Sequence, residues 1–534
     1  MASSFSRVRG FLLAAGLVAS AGLAGAAERS PPNIVFILAD DMGVGDVSAL
    51  NAHSAWQTPH IDRIAKEGIA LTDAHSSSAV CTPSRYAIMT GRYNWRSARK
   101  SGVGSGLSPA LIEPGRLTVP AFLRQHGYVT AMIGKWHLGL DWARSGSGVA
   151  VATDDPTDGE PSRGAATKAA EPAVDYTKPF GGGPVACGFQ YFFGISASLD
   201  MPPYTWLRGD RVDALPRQTI KGSPLPAMWR AGPIAEGFAH VDVLPREAAE
   251  AVGYIEKQNA KQPFFLYLAL TAPHTPIVPE KEFSGRTGTT AYGDFCAQVD
   301  GAVGKVLAAL AARHLEENTL VIFTADNGCS PSANFAELQK FHHDPQAGCR
   351  GEKADIYEGG HHVPFLVRWP AVVQRGRVSD QVICQVDLLA TCAGIVAAAL
   401  PDTAGEDSVN LLPLLAGETV RGPLHEAVVH HSINGSFAIR QGPWKLCLCP
   451  DSGGWSDPKP GKAPAGSPPF QLFNLRDDPA ETKNLYSAHP EIVQQLGGLL
   501  KRYVARGRST PGVPQQNTGR ATWPAVSWMS QFNN

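Results

Sequence analysis

The chain has 534 residues, enough for a large buried core and about two domains. Hydrophobic residues make up 43% and charged residues 18%, the balance of a soluble globular protein. A formal net charge of -1 excludes a global field that would recruit nucleic acid or an anionic membrane, so recognition of any anion has to be local.

Residues 1–26 read as a signal peptide. Arg7 and Arg9 give a basic start, FLLAAGLVASAGLAG is the apolar stretch, and Ala24-Gly25-Ala26 is a small-x-small cleavage site. Glu28 and Arg29 end the run, which argues against a membrane anchor, and no later run reads as a bilayer span. Export to the periplasm, or secretion, is the expectation. Nine cysteines suit such an oxidising compartment. With Cys81 set aside, disulfides are expected among Cys187, Cys296, Cys329, Cys349, Cys384, Cys392, Cys447 and Cys449, with the pairing left open. No pair of C-x-x-C elements has zinc-ligand spacing, and Cys447-x-Cys449 alternates with Leu446 and Leu448 as a strand does.

NIVFILAD (33–40) is short, nearly all apolar and rich in β-branched residues, as in a central parallel strand covered on both faces. Asp40 and Asp41 stand at its end, before a glycine-rich MGVGD. In CTPSRYAIMTGR (81–92) a helix is expected to start near Tyr86, so Cys81 would face a helix N-terminus and Arg85. Read on these features alone, Cys81 is a low-pKa thiolate nucleophile. YVTAMIG (128–134) is a further strand, and alternation in GKWHLG (134–139) would point Lys135 and His137 the same way. Residues 141–176 read as a polar inserted loop.

GISASLDMPPYTWL (194–207) brings Asp200, Tyr204 and Trp206. PFFLYLAL (263–270) is a strand, and TAPHTP then fixes His274 between prolines. Val299, Val303, Val306, Leu307 and Leu310 recur at helix spacing before TLVIFTAD (319–326), a strand that delivers Asp326 and Asn327. RGEKADIYEGG (350–360) adds Lys353 in a polar loop. Strands alternating with helices predict an α/β domain over 27–400 with a large, mostly parallel sheet flanked by helices. Ligands bind beyond the carboxyl ends of such strands, so Asp40, Asp41, Asp326 and Asn327 are placed to share a hard cation. Residues 401–534 read as a smaller α+β subdomain and tail. Its antiparallel sheet uses SFAIRQGPWKLCLC (436–449) and FQLFNL, and a helix follows from about Pro490 to Arg506. AVVHHSINGSFAIR (427–440) offers His430, His431 and Asn434.

CTPSR followed by TGR, with DD, GKWH, PH, DNG and GxK in order, resembles the type I sulfatases of the alkaline phosphatase superfamily. The likeness runs from about residue 33 to residue 485 and takes in GPWKL and LFNLRDDPAE. It is similar to arylsulfatase A and N-acetylgalactosamine-6-sulfatase-like enzymes. The resemblance implies that a formylglycine-generating enzyme oxidises Cys81 to formylglycine (3-oxoalanine). One hydroxyl of the hydrated aldehyde would attack sulfur and expel the alcohol, and the other would collapse and eject sulfate. It also implies one Ca²⁺ held by Asp40, Asp41, Asp326, Asn327 and residue 81. Arg85 would orient the formylglycine, and Asp326 would take the nucleophile's proton. Lys135 and Lys353 would grip sulfate oxygens, His137 would assist aldehyde recovery, and His274 would protonate the leaving oxygen.

A phosphate or phosphonate ester hydrolase of the same superfamily is the nearest alternative, and the paired lysines favour a sulfate monoester over it. An inactive carbohydrate-binding relative is a second, against which the intact catalytic set argues. The expected substrate is a sulfated carbohydrate or aryl sulfate, with galactose- or N-acetylgalactosamine-6-sulfate preferred. Asp200, His430 and His431 are the expected sugar contacts, beside His274 and the two lysines.

Overall fold

The computed structural model of the protein describes Met1, residues 30–145 and residues 173–532. The expected signal peptide and most of the inserted loop lie outside these residues. Five parallel strands form the centre of a ten-stranded sheet. In spatial order they are Thr319–Ala325, Asn33–Asp40, Phe264–Pro273, Val129–Lys135 and Tyr191–Ile195. Phe365–Arg368, Ile69–Leu71 and Arg377–Ser379 extend one edge, and two short strands in the 207–212 region extend the other.

Every residue of Asn33–Asp40 and Phe264–Pro273 is buried, which is why both runs lack polar alternation. The strand's period of two is hidden in the packing instead. Val35, Ile37 and Ala39 join one apolar cluster with the helices Val243–Glu256 and Ala291–Ala312. Ile34, Phe36 and Leu38 join another with the helices Cys81–Thr90 and Val119–Gln125. Each large side chain so buried contributes about 1.5–3 kcal/mol. Ala291–Ala312 is long and apolar enough to cross a membrane by length and composition, contrary to the expectation from sequence. It is mostly buried, with Val299, Val303, Val306 and Leu310 fully covered, as in a core helix.

Glu247, on the helix Val243–Glu256, is fully buried against the central sheet. One carboxyl oxygen accepts from the amide and hydroxyl of Thr271, and the other has no partner. Burial pushes this carboxyl up to about 8 despite the Thr271 bonds. Its folded value exceeds the unfolded one, so its contribution to stability is complete below the ordinary glutamate range. It is lost as pH rises through about 8. Glu247→Gln is therefore expected to raise the melting temperature at pH 8 more than at pH 5. An equal shift at both pH values would show that Glu247 is ionised in the fold.

The C-terminal part carries a four-stranded antiparallel sheet: Val428–His431, Phe437–Gln441, Trp444–Cys447 and Gln471–Asn474. The helix Pro490–Arg506 has proline in its first turn and Gly507 at φ 66° as its C-cap, the ends its sequence announces. Its Val493, Leu496, Leu500 and Tyr503 pack in one cluster with Val429, Ile439 and Leu446, and Trp523 and Trp528 of the tail join them. Ala87, Tyr93 and Trp95 belong to the same cluster, so the small sheet packs directly behind the Cys81 helix.

All nine cysteines are free thiols, which corrects the expectation of disulfides. All but Cys349 are buried, and Cys187, Cys296, Cys329, Cys384, Cys392, Cys447 and Cys449 behave as small apolar residues distributed among separate clusters.

Candidate active site

Four neighbouring strands of the central sheet deliver side chains at their carboxyl ends. Asp40 ends Asn33–Asp40, Lys135 ends Val129–Lys135, His274 follows Phe264–Pro273, and Asp326 follows Thr319–Ala325. The backbone turns sharply at Asp41, whose φ is 63°, and this lets both aspartates serve one region. Cys81 begins its helix rather than preceding it, so the predicted start near Tyr86 is corrected by five residues. Its Sγ lies 3.6 Å from Asp40 Oδ1. Arg85, four residues on, falls on the same helix face.

Charge is then paired one to one. Lys135 Nζ stands 2.6 Å from Asp40 Oδ2, and Lys353 Nζ 2.7 Å from Asp41 Oδ2. Arg85 donates from Nε and Nη2 to Asp326 Oδ2 at 2.9 and 2.7 Å, and from Nη1 to the Lys135 carbonyl. Asn327 donates to Asp41 Oδ1 at 2.7 Å, and His274 Nε2 is 3.6 Å from Asp41 Oδ2. None of these residues is more than 7% exposed. Three carboxylates against three cations hold so many buried charges in place, since removal of either partner would strand the other.

Burial raises the Asp40 and Asp41 carboxyls, but nearby cations more than offset it. Lys135 leads at Asp40 and Lys353 at Asp41, and both end below the ordinary carboxylate range. Burial lowers Lys353, yet Asp41 keeps it a firm ammonium. Burial, with Asp326 next, pushes the Cys81 thiol well up. The low-pKa thiolate read from the sequence is thus corrected: unmodified Cys81 is a protonated thiol in a dry, acid-lined position. His137 is held well below the imidazole range by burial first, then Lys135 and Arg85. Its Nε2 donates to the Gly104 carbonyl at 2.7 Å, which leaves Nδ1 as a proton acceptor.

Asn327 Oδ1 is buried with no hydrogen-bond partner. Donor atoms of Asp40, Asp41, Cys81 and His274 lie within 4.8 Å of one another. An orphan carbonyl oxygen beside three aspartates suits a hard, oxygen-seeking cation. That cation would leave the cluster with a net charge of about +2, ready for an anion.

Supporting residues escaped the sequence reading. Asp46 accepts from Tyr292 at 2.5 Å, from His343 Nε2 at 2.9 Å and from the Gly43 amide, and so braces the turn that carries Asp41. A Cβ on Gly43 would meet the Pro345 carbonyl oxygen at 2.0 Å, which explains a glycine there. Gln385 donates to the Ala325 carbonyl beside Asp326. Only the glycine-rich MGVGD hinted at this layer.

The proposed sugar contacts fare differently. Asp200 is buried and ion-paired with Arg230, with one carboxylate oxygen lacking a partner. Tyr204 is fully covered, and Trp206 stacks on Phe193 with centroids 4.6 Å apart. His430 and His431 are at most 1% exposed, so neither forms a pocket rim. His430 stacks on His361 and His431 packs edge-on to Phe437. The rim position expected of them is thus replaced by an interior one.

A fixed array of buried carboxylates and cations around Cys81 suits the binding of an anionic group. The sulfatase family model matches residues 32–398. An N-acetylgalactosamine-6-O-sulfatase of Bacteroides thetaiotaomicron is 30% identical over 89% of this chain and 93% of its own. Human arylsulfatase A is 31% identical, with 89% and 88% covered. A structure from work on glycosaminoglycan metabolism by B. thetaiotaomicron superposes with a TM-score of 0.74 at 28% identity, covering 88% of this chain and 99% of that one. A Pseudoalteromonas sulfatase shares the fold at a TM-score of 0.64 and 21% identity, covering 90% of this chain and 92% of its own. The chain belongs to the sulfatase family and is a sulfuric ester hydrolase.

Proposed function

We propose that the enzyme is exported to the periplasm or secreted and removes sulfate from a carbohydrate through a formylglycine made from Cys81. The observation that carries this reading is the placement of Cys81 at a helix N-terminus, 3.6 Å from Asp40, among Lys135, Lys353 and Arg85. A formylglycine-generating enzyme is the maturation partner this requires. Once formed, the hydrated aldehyde at residue 81 supplies the nucleophile. Asp40, Asp41, Asp326 and Asn327 would hold one Ca²⁺, which when bound polarises the sulfate.

The remaining work falls to side chains whose geometry is fixed. Lys135 and Lys353 bind sulfate oxygens where charge develops. Arg85 holds Asp326 and orients residue 81. Asp326 accepts a proton from the nucleophile, and His137 Nδ1 takes the proton released when the aldehyde is restored. His274 donates its Nδ1 hydrogen to the Thr275 carbonyl at 2.6 Å, which presents Nε2 to the leaving oxygen.

We favour a 6-sulfated galactose or N-acetylgalactosamine. The B. thetaiotaomicron relative named for N-acetylgalactosamine-6-O-sulfate supports this choice, and we assign Asp200, whose Oδ1 lacks a partner, to reading a hydroxyl. The test is desulfation of defined saccharides beside an aryl sulfate and an aryl phosphate. Sulfate release should exceed phosphate release by orders of magnitude, and 6-sulfates should lead. Asp200→Ala should cut turnover of the saccharide far more than of the aryl sulfate. Equal losses would make Asp200 structural, and a strict preference for 2- or 4-sulfates would exclude the 6-sulfate reading.

A further inference from the structure

His75, His361 and His430 converge away from the active-site cluster, in the interior. One nitrogen from each ring lies within 4.8 Å of the others, and all three residues are fully buried. They come from three places in the chain: the short strand Ala74–His75, the turn of helix Glu358–His361, and the C-terminal strand Val428–His431.

Their outer nitrogens are already engaged. His75 Nε2 is 2.7 Å from Asp73 Oδ1, His430 Nδ1 is 3.2 Å from the Ser76 carbonyl, and His361 Nε2 is 3.2 Å from the Ile356 carbonyl. An outer nitrogen that donates to a carboxylate or carbonyl turns the other lone pair inward, the arrangement that orients metal-ligating histidines. Here the inward atoms are His75 Nδ1 and His361 Nδ1, 3.1 Å apart, and His430 Nε2, which is buried with no hydrogen-bond partner. Two lone pairs do not face each other at that distance without a proton or a cation between them. Nitrogens on one tetrahedral zinc, bonded at about 2.0–2.1 Å, stand about 3.3 Å apart.

A proton would satisfy His75 and His361, with Lys445 donating to His361 Nε2 at 3.0 Å, but would leave His430 Nε2 with nothing. A cation satisfies all three inward nitrogens, with His361 Nε2–H then directed to the Ile356 carbonyl and no longer accepting from Lys445. Asp73 and Glu358 face Arg440 and Lys445 around the three rings, with Glu481 beside Lys445. Glu358 Oε2 lies 4.0 Å from His75 Nδ1, in reach as a fourth donor.

We propose that His75, His361, His430 and Glu358 form a second, structural metal site of the zinc class. Three imidazoles and one carboxylate match a borderline ion rather than calcium. The rings of His361 and His430 stack in parallel, 3.7 Å between centroids, so capture requires one ring to tilt. The ion would staple the short strand Ala74–His75 and the helix Glu358–His361 to the C-terminal sheet. It would also steady the segment before Cys81, since Ser76 accepts from His430 and the Ala79 amide donates to the His431 carbonyl.

The test uses the full-length enzyme in excess Ca²⁺, which keeps the oxygen-rich active site filled. Zinc is added, unbound metal is removed by gel filtration, and the bound metal is counted and examined by X-ray absorption. One zinc per chain with scattering from three imidazoles is expected, and His430→Gln should lose that equivalent while keeping its circular dichroism. No retained zinc, fewer than three imidazoles, or undiminished zinc in folded His430→Gln would overturn the proposal. If His430→Gln does not fold, the wild-type spectrum decides alone.

Discussion

Cys81→Ala is expected to fold and to lose sulfatase turnover by on the order of 10⁴-fold or more. Cys81 is 2% exposed, and its side chain contacts Asp40 without carrying a charge or closing a disulfide. Its truncation removes one sulfur atom from the interior, a loss of about 1 kcal/mol, while it deletes the only nucleophile the mechanism has. The two readouts should therefore separate. A melting temperature near that of the wild type together with abolished sulfate release is the expected pair. Retained turnover would place the nucleophile elsewhere.

Asp326→Ala should be the most damaging substitution in the site, because it fails in both respects at once. Asp326 Oδ2 accepts two bonds from Arg85, and both residues are fully buried. Removing the carboxylate leaves a buried guanidinium with the Lys135 carbonyl and Asp40, 3.6 Å away and already paired with Lys135, a cost of about 3–5 kcal/mol. It also removes a proposed Ca²⁺ ligand and the nucleophile's proton acceptor. Asn327→Ala removes a neutral ligand and one hydrogen bond to Asp41, so it should lose less activity and less stability. Urea unfolding and sulfate release measured on both variants check the ranking. An Asn327→Ala loss equal to that of Asp326→Ala would contradict the roles assigned.

Much of this was legible in the sequence because it is local. Strands that read as unbroken apolar runs are covered on both faces, and Asp40, Lys135, His274 and Asp326 follow them directly. Where the reading failed, the cause was burial contributed by distant segments. Helix geometry beside Cys81 suggested a thiolate, but the acid wall of Asp40 and Asp326 and the loss of water decide its state. His430 and His431, expected at a pocket rim, are instead packed against Ser76, Asn94 and Phe437. The brace formed by Asp46, Tyr292 and His343 joins residues 246 and 297 positions apart, which no local pattern announces.

The peptide spanning residues 67–85, which trypsin releases by cleaving after Lys66 and Arg85, carries the central claim in one mass. In enzyme purified in active form, the CH₂SH of Cys81 should be replaced by CHO, and the converted fraction should track specific activity between preparations. Fully active enzyme whose peptide carries only the unmodified thiol would contradict the account.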